Sequence, residues 1–305
     1  MSGNKYCIAS PHKDESWYDY RLYENLKHSL RKLGFVHQAA AKNRIYFLGA
    51  PLKKHYPKVG QFDPQANNIA LIYCHLQKIH SLREFDHIFV TSEYARRYLT
   101  RRRFKGWLRG KFSSTFDTQR KIRVMRPFSS LSPLLEIPEE YRCDISFMGV
   151  PRKRPIVEDI LPIVEKHGLK FQIIGPSWQN YPGDKRAKAY CIGASVPYKN
   201  LPFVAQGATI NLVDHHESMK KQGMVSHKYI DLINAGGFVI SDNNKDAKNS
   251  YNGIVYRSAN ELEALVLKYL YDHEKRDKKR TEQWNLTKGL TTDAAAKTFA
   301  ECFVD

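Results

Sequence analysis

A cation stands where a predicted helix begins, and this suggests an anion-binding site. Ser226 is a typical helix N-cap, and the first turn after it holds His227, Lys228 and Tyr229. The helix dipole disfavours a cation at this end, so Lys228 is easier to understand if an anion binds there. Asp231 lies four residues after His227, so both side chains can face one ligand. The alternative is that Lys228 is an ordinary surface lysine.

Two glycines follow apolar runs that predict strands. Gly149 ends the run 144–149 and opens a basic turn, and Gly175 follows the run 170–174. The cations of the basic turn are Arg152, Lys153 and Arg154. Glycine permits close backbone approach and the cations supply charge, which together suit a diphosphate. A solvated basic turn is the alternative interpretation.

The positive charge is concentrated in residues 96–126, which we call the basic segment. It holds twelve Lys and Arg residues against one acid, with aromatic residues among them. Such a pattern suits an anionic membrane surface, where each Lys or Arg near lipid contributes about 1 kcal/mol. Nucleic acid phosphates would attract the same residues, and a solvated loop without a partner is the third alternative. The residues expected at the membrane or acceptor are Arg101, Arg102, Arg103, Lys105, Trp107 and Arg109.

The composition excludes several classes of protein. The 305 residues carry a formal net charge of +18 and are 42% hydrophobic, which is globular composition and excludes a disordered chain. Five cysteines without a CxxC pair argue against a disulfide scaffold or zinc site and for a reducing compartment. The sequence has no run of about 18 apolar residues and no signal-peptide core at its start, so we expect a cytoplasmic protein.

Several catalytic motifs are missing from the sequence. No Asp-x-Asp follows a predicted strand, which argues against a Mg²⁺ or Mn²⁺ ion that bridges a diphosphate, so no metal or other cofactor is expected. Walker A, GxGxxG and nucleophile-elbow motifs are also missing. Their absence disfavours ATPases, dehydrogenases and α/β hydrolases.

Short apolar runs alternate with longer amphipathic runs through most of the chain, with a proline-containing linker predicted at 132–138. This alternation predicts an α/β protein with two doubly wound, Rossmann-like domains facing a cleft, whose ligands bind at the carboxyl ends of the strands. The predicted strands are 5–10, 44–49, 68–73, 87–91, 121–125, 144–149, 170–174, 208–213 and 238–241. The predicted helices are 17–33, one that follows a cap at Ser92, 156–167, 227–235 and 261–273.

Four segments occur in a fixed order: 144–149, 170–175, 208–213 and 228–236. In that order they resemble the donor domain of GT-B glycosyltransferases, and most of all the spore-coat and polysaccharide transferase-like group, over about residues 143–273. The resemblance implies that Lys228 contacts the diphosphate of a nucleotide sugar and that Asp231 bonds ribose or sugar hydroxyls. It also implies that Val196 contacts the base. The family more often has Arg and Glu at the first two positions, and the shorter acid would meet the ribose differently.

The resemblance also implies roles for the rest of the chain. Residues 1–132 would hold the acceptor, residues 139–285 would bind the nucleotide sugar, and residues 286–305 would form a helix that packs back on the N-terminal domain. The first loop would face the donor and supply the base that takes the acceptor proton. The candidates in that loop are His12, Asp14 and Glu15, of which the two acids would equally cap the next helix. Glu93 is a second choice, and His215 and His216 would touch the transferred sugar or face solvent.

These observations predict a metal-independent glycosyltransferase in the cytoplasm, peripheral on the inner face of the membrane. Its partners would be a nucleotide-sugar donor, a surface-glycan or lipid-linked saccharide acceptor such as a lipopolysaccharide or capsule precursor, and an anionic membrane surface. Lys228, the loop 149–154 and the helix N-terminus would neutralise the leaving group. No nucleic acid partner is expected. Two alternatives stay open: a basic nucleic-acid-binding protein, and a transferase-like scaffold without activity.

Overall fold

The computed structural model describes residues 4–9, 18–49, 62–76, 84–108 and 122–304. The contacts within the chain divide it into two units. The first consists of Met1–Ser130, Glu217–Val225 and Leu290–Asp305, and the second consists of Leu131–His216 and Ser226–Gly289. The sequence-based ranges run unbroken through the second half of the chain, whereas Glu217–Val225 belongs to the first unit.

Strands and helices alternate along the described residues. The strands are β1 (Lys5–Ala9), β2 (Val36–His37), β3 (Asn43–Leu48), β4 (Asn67–Ile72), β5 (His87–Val90), β6 (Ile122–Val124), β7 (Cys143–Met148), β8 (Phe171–Ile174), β9 (Cys191–Gly193), β10 (Ala208–Val213), β11 (Val239–Asp242) and β12 (Ile254–Tyr256). The helices are α1 (Tyr18–Lys32), α2 (Glu93–Leu108), α3 (Pro155–His167), α4 (Leu201–Gly207), α5 (Glu217–Gln222), α6 (His227–Asn234), α7 (Lys245–Ser250), α8 (Ala259–Tyr271), α9 (His273–Thr287) and α10 (Thr292–Ala300).

The first unit is built on a parallel sheet in the order β2-β1-β3-β4-β5-β6. Every residue of β3 and β4 is buried, as expected for a sheet covered on both faces. Helix α1 packs Leu22 and Leu30 on one face, and Phe299 of α10 belongs to the same cluster. Helix α2 follows Ser92, whose hydroxyl accepts a hydrogen bond from the Ala95 backbone N–H at 3.0 Å, so the predicted cap is confirmed.

The second unit is built on a parallel sheet in the order β12-β11-β10-β7-β8-β9. The strand order reverses between β7 and β10, and in such a sheet the crevice for a ligand lies at the carboxyl ends of the two strands at the reversal. Helix α3 covers this sheet; it begins with Pro155 and ends at Gly168, which has a left-handed conformation. The loops that follow β7 and β10 are therefore the places to look for a site.

The predicted α/β class with two doubly wound sheets is confirmed, and every predicted strand is present. Strands β2, β9 and β12, which are two or three residues long and lie at sheet edges, are absent from the prediction. Helix α9 is also absent from it, because its only buried residues are Gln283 and Thr287 and it lacks an apolar stripe. Among the helices of the described residues, none is long and apolar enough to cross a membrane.

Candidate functional site

Two strand ends of the second unit approach each other very closely. The Gly149 carbonyl, just after β7, accepts a hydrogen bond from the Trp178 indole N–H at 2.9 Å. A Cβ atom on Gly175, just after β8, would lie 2.0 Å from the same carbonyl oxygen. Glycine at position 175 is therefore needed for the backbone to pass, and both predicted glycines shape the floor of the crevice.

A buried carboxylate after β10 collects the arginines of the β7–α3 loop. Asp214 is 6% exposed and accepts hydrogen bonds from Arg154 Nη1 at 2.6 and 2.7 Å and from Arg152 Nη2 at 2.8 Å. Burial raises the pKa of Asp214, but Lys228, Arg154 and Arg152 outweigh that effect and hold the pKa below its usual value. Asp214 is therefore ionised over the whole physiological range of pH.

Lys228 reaches the same strand ends from the first turn of α6. Its ammonium donates a hydrogen bond to the Met148 carbonyl at 2.6 Å and lies 5.2 Å from the centre of the Phe147 ring. Burial, together with Arg154 and Arg152, lowers the pKa of Lys228, whereas Asp214 and Asp242 raise it, and the net result is a pKa of about 8. At neutral pH most Lys228 side chains are charged.

The charges at these strand ends are not balanced. Arg152, Arg154 and Lys228 contribute three positive charges, and Asp214 and Asp242 contribute two negative charges, of which Asp242 also contacts His215. Burying like charges together is unfavourable unless a partner neutralises them. An anionic ligand, such as a diphosphate, would offset the positive excess at the reversal point of the sheet.

A histidine–aspartate pair lies beside this cluster. His215 Nδ1 is 2.7 Å from Asp242 Oδ1, and the His215 backbone N–H donates to Asp242 Oδ2 at 3.0 Å. The pair joins the end of β10 to the end of β11 and is buried. Among the described residues, Nε2 of His215 has no hydrogen-bond partner. Of the two interpretations of His215, the solvent-facing one is excluded, and contact with a sugar stays a prediction.

The start of α6 is mostly buried. Ser226 precedes the helix with extended backbone angles, and its hydroxyl has no hydrogen-bond partner among the described residues. His227 is buried, which lowers its pKa to about 3 and keeps it neutral. Tyr229 is fully buried between the rings of His215 and Tyr251. These side chains shape the turn that carries Lys228.

The residues expected at the ribose and the base are neighbours. The Asp231 carboxylate is buried and accepts a hydrogen bond from the Tyr198 hydroxyl at 2.8 Å. Val196, two residues before Tyr198, is buried against Ile174 and Val204. The hydrogen bond therefore ties α6 to the predicted base loop, and a ribose role for Asp231 would share the carboxylate with Tyr198.

Several predicted site residues lie elsewhere. Lys153 is exposed beside the cluster, and Glu93 pairs with Arg96 at 2.9 Å in the first turn of α2. His12, Asp14, Glu15 and Arg109 lie outside the described residues. Arg101 is exposed on α2, and the same helix carries Arg102, Arg103, Lys105 and Trp107, whose side chains are outside the description. The catalytic, membrane and acceptor roles of these residues stay predictions.

Asp214, Asp242 and the structural role of Arg154 are missing from the sequence-based site. The rule that placed Gly149 after β7 would also have found Asp214, which directly follows the predicted strand 208–213. Arg154 is one of the three predicted cations, but it is held by Asp214 and is not open to a ligand. Among the described residues, no three His, Cys, Asp or Glu side chains come together where they could hold a metal ion.

Known proteins resemble this chain both in sequence and in fold. The sequence model of a glycosyl transferase-like family matches residues 152–299. A variant of S. aureus TarM, solved with fondaparinux, α-GlcNAc-glycerol and UDP, is 13% identical over 93% of this chain and 59% of that chain, with a TM-score of 0.57. The sucrose-phosphate synthase of Thermosynechococcus elongatus is 11% identical over 97% of both chains, with a TM-score of 0.55.

A third structure, the β-glucosyltransferase of phage T4, is 10% identical over 97% of both chains, with a TM-score of 0.52. The chain thus spans about three fifths of TarM and nearly all of the other two. None of the curated proteins matches the chain by sequence. These structural neighbours are GT-B glycosyltransferases. The chain therefore has the GT-B fold that the sequence resemblance predicts, and the model of the glycosyl transferase-like family matches residues 152–299 of it.

Proposed function

We propose that this protein transfers a sugar from a nucleotide-sugar donor to a surface-glycan or lipid-linked saccharide acceptor. The observation that carries the proposal is the position of Lys228, whose ammonium lies 2.6 Å from the Met148 carbonyl at the end of β7. Arg152 and Arg154 converge on the same point around one acid, Asp214. An unbalanced cationic cluster at the reversal point of a Rossmann-ordered sheet suits a nucleoside diphosphate.

The same cluster suits the chemistry of transfer. When the bond between the anomeric carbon and the diphosphate oxygen breaks, the leaving group keeps the electron pair and gains negative charge. Lys228 and Arg152 would neutralise that charge in a crevice shielded from water, where charged donors are most effective. The acceptor oxygen forms the new bond, and its proton passes to a base, for which His12, Asp14 and Glu15 are our candidates. No metal ion is required in this scheme.

The comparison with TarM and the basic segment support particular donor and acceptor classes. The TarM variant was solved with UDP, which makes a uridine nucleotide the first donor to test. The basic segment would hold a phosphorylated or lipid-linked acceptor, or the anionic membrane surface that carries it, on the inner face of the membrane. This would make the protein a peripheral cytoplasmic enzyme.

Replacing Lys228 tests the diphosphate role. Lys228→Met keeps the length of the side chain and removes its charge, so the protein should fold while transfer falls about 100-fold. Lys166→Met is the matched control, because Lys166 lies at the end of α3, away from the cluster, and pairs with Glu263 on α8. The measurement is incorporation of labelled sugar from UDP-, GDP- and TDP-sugars into lipopolysaccharide or a lipid-linked saccharide, with and without EDTA.

Near-normal transfer by Lys228→Met would remove this lysine from the mechanism. Loss of transfer in EDTA would show that a metal ion takes part, contrary to the proposal. If the unaltered protein binds no nucleotide sugar in a thermal-shift screen, the glycosyltransferase proposal fails and an inactive scaffold is the better interpretation.

A further inference from the structure

Asp214 is an unexpected group at the centre of an anion site. Its carboxylate is negative and buried, so it opposes the approach of a diphosphate. Nevertheless it accepts three hydrogen bonds from the β7–α3 loop, two from Arg154 and one from Arg152. A buried carboxylate in this position costs binding energy unless it improves the geometry or charge of the cations around it.

The two arginines that Asp214 binds are held very differently. Arg154 is 5% exposed, donates from Nε to the Val150 carbonyl at 2.7 Å and lies 5.2 Å from the centre of the Phe147 ring. The Arg152 side chain is 36% exposed, and its pairing with Asp214 is a single contact at 2.8 Å. Turning Arg154 away would break several buried contacts, whereas turning Arg152 away breaks one. Arg154 is therefore a fixed cation and Arg152 a movable one.

We propose that Asp214 is a positioning residue of the donor site. It stays paired with Arg154 in both the free and the bound protein. It pairs with Arg152 only in the free protein, and on binding the Arg152 guanidinium leaves Asp214 and pairs with the diphosphate of the donor. The inference rests on the proposed function, because it requires a nucleoside diphosphate as ligand. In the free protein Asp214 keeps the Arg152 guanidinium close to the strand ends, which reduces the conformational freedom that the side chain loses on binding. In the complex Asp214 retains Arg154, so no buried charge is left without a partner.

The charge of Asp214 has a second effect, on Lys228. The charged groups that face Lys228 are Asp214 after β10, Arg152 and Arg154 in the β7–α3 loop, and Asp242 at the end of β11. The two acids favour the charged ammonium and the two arginines disfavour it. Neutralising Asp214 should lower the pKa of Lys228 from about 8, and neutralising Arg152 should raise it. The two changes have opposite signs, and a loss of packing alone would produce neither.

The test compares two variants with a matched control. Asp214→Asn removes the charge and keeps the shape, and Arg152→Gln removes the movable cation and leaves the Arg154–Asp214 pair intact. Asp184→Asn is the control, because Asp184 pairs with Arg186 in the same unit but away from the strand ends. Dissociation constants for UDP-glucose, GDP-mannose and TDP-glucose are measured by calorimetry between pH 7 and pH 10, with the melting temperature of each variant recorded at every pH.

The variants should differ in how tightly they bind the nucleotide sugar that the unaltered protein binds. Its affinity should fall as pH rises through about 8, where Lys228 loses its proton. Asp214→Asn should bind about tenfold more weakly at pH 7.5, with the fall displaced to lower pH. Arg152→Gln should bind about tenfold more weakly at pH 7, with the fall displaced to higher pH. Asp184→Asn should match the unaltered protein throughout.

Two outcomes would overturn the proposal. In the first, Asp214→Asn binds the nucleotide sugar as tightly as the unaltered protein, or more tightly, and with the same pH profile. Asp214 would then only repel the diphosphate and would not position the arginines. If Asp214→Asn does not fold, Arg152→Gln tests the proposal instead. Unaltered affinity of Arg152→Gln for the nucleotide sugar would show that Arg152 does not pair with the diphosphate. If the unaltered protein itself binds no nucleotide sugar, the proposed function fails, and this inference fails with it for a separate reason.

Discussion

The two units bury polar side chains at opposite ends of their sheets. In the first unit two buried amides, Asn43 and Asn67, lie at the amino ends of β3 and β4, next to the buried cation Arg44. Asn43 donates to the Lys5 and Val304 carbonyls at 3.2 and 3.0 Å and accepts from the Val304 N–H at 2.9 Å. Asn67 donates to Asn43 at 2.8 Å and to the Cys302 carbonyl at 2.7 Å. In the second unit the buried charges Arg154 and Asp214 lie just beyond the carboxyl ends of β7 and β10.

The difference shows how to tell a structural polar group from a binding one. Asn43 and Asn67 bond backbone groups of the C-terminal segment, so they hold the chain end after α10 against the start of β3. Their hydrogen bonds lie within the protein and need no ligand. Arg152 and Arg154 pair with Asp214, and Lys228 interacts electrostatically with all three, but even with Asp242 counted one positive charge is left over. An excess of buried charge indicates a ligand, whereas a closed amide network indicates packing.

The largest effect on stability is expected from replacing Arg154, the fixed cation among the charged groups of the second unit, which we call the charged end. Arg154→Met should lower the free energy of unfolding by about 4 kcal/mol, because it leaves Asp214 buried with weaker compensation. Urea denaturation measures this loss, and Lys166→Met should change it by less than about 1 kcal/mol. A loss below about 1 kcal/mol for Arg154→Met would mean that Arg152 and Lys228 satisfy Asp214 without it.

A slightly smaller effect on stability is expected at Asn43, in the amide network of the first unit. Asn43→Ala removes four hydrogen bonds, leaves the Asn67 amide with one partner fewer, and should cost about 3 kcal/mol of unfolding free energy. Nucleotide-sugar affinity should not change, which is the sharpest contrast with the charged end. Asn285→Ala, on the exposed side of α9, is the matched control. Weaker nucleotide binding by folded Asn43→Ala would contradict the division between structural and binding groups.

The smallest effect is a dependence on pH that belongs to the charged end alone. Burial lowers the pKa of His227 to about 3, whereas an unfolded histidine titrates near 6.5. Between these values the unfolded state takes up a proton that the folded state refuses, so stability falls as the pH drops below about 6.5. His227→Gln removes this dependence.

Denaturation at pH 7 and pH 5 measures the effect on His227. The stability difference between the unaltered protein and His227→Gln should shift by about 2 kcal/mol in favour of the variant at pH 5. Asn43→Ala should show the same deficit at both pH values, because an amide does not titrate. If the stability difference between the unaltered protein and His227→Gln is the same at pH 7 and pH 5, His227 becomes protonated in the folded protein as readily as in the unfolded one.

The sequence predicts the parts of this protein that depend on local pattern. Apolar runs long enough to cross a buried sheet gave every strand of four or more residues, and amphipathic spacing gave α1, α3, α6 and α8. The short edge strands β2, β9 and β12 were not predicted, although the edge strand β6, which is also three residues long, was. Lys228 was found for a local reason as well, since a cation in the first turn of a helix needs an anion.

Only the tertiary structure decides which charges meet. Asp214 follows a strand and Arg154 precedes a helix 60 residues earlier, and nothing in their spacing links them. Parallel pairing of β7 with β10 brings their carboxyl ends together and makes the ion pair. In the same way, Asn43 meets Val304 across 261 positions of sequence because β3 and the C-terminal segment pack together. The sequence alone therefore determines the longer strands, the amphipathic helices and a candidate anion-binding lysine. The pairing of strands decides which cations are open to a ligand and which are already bound.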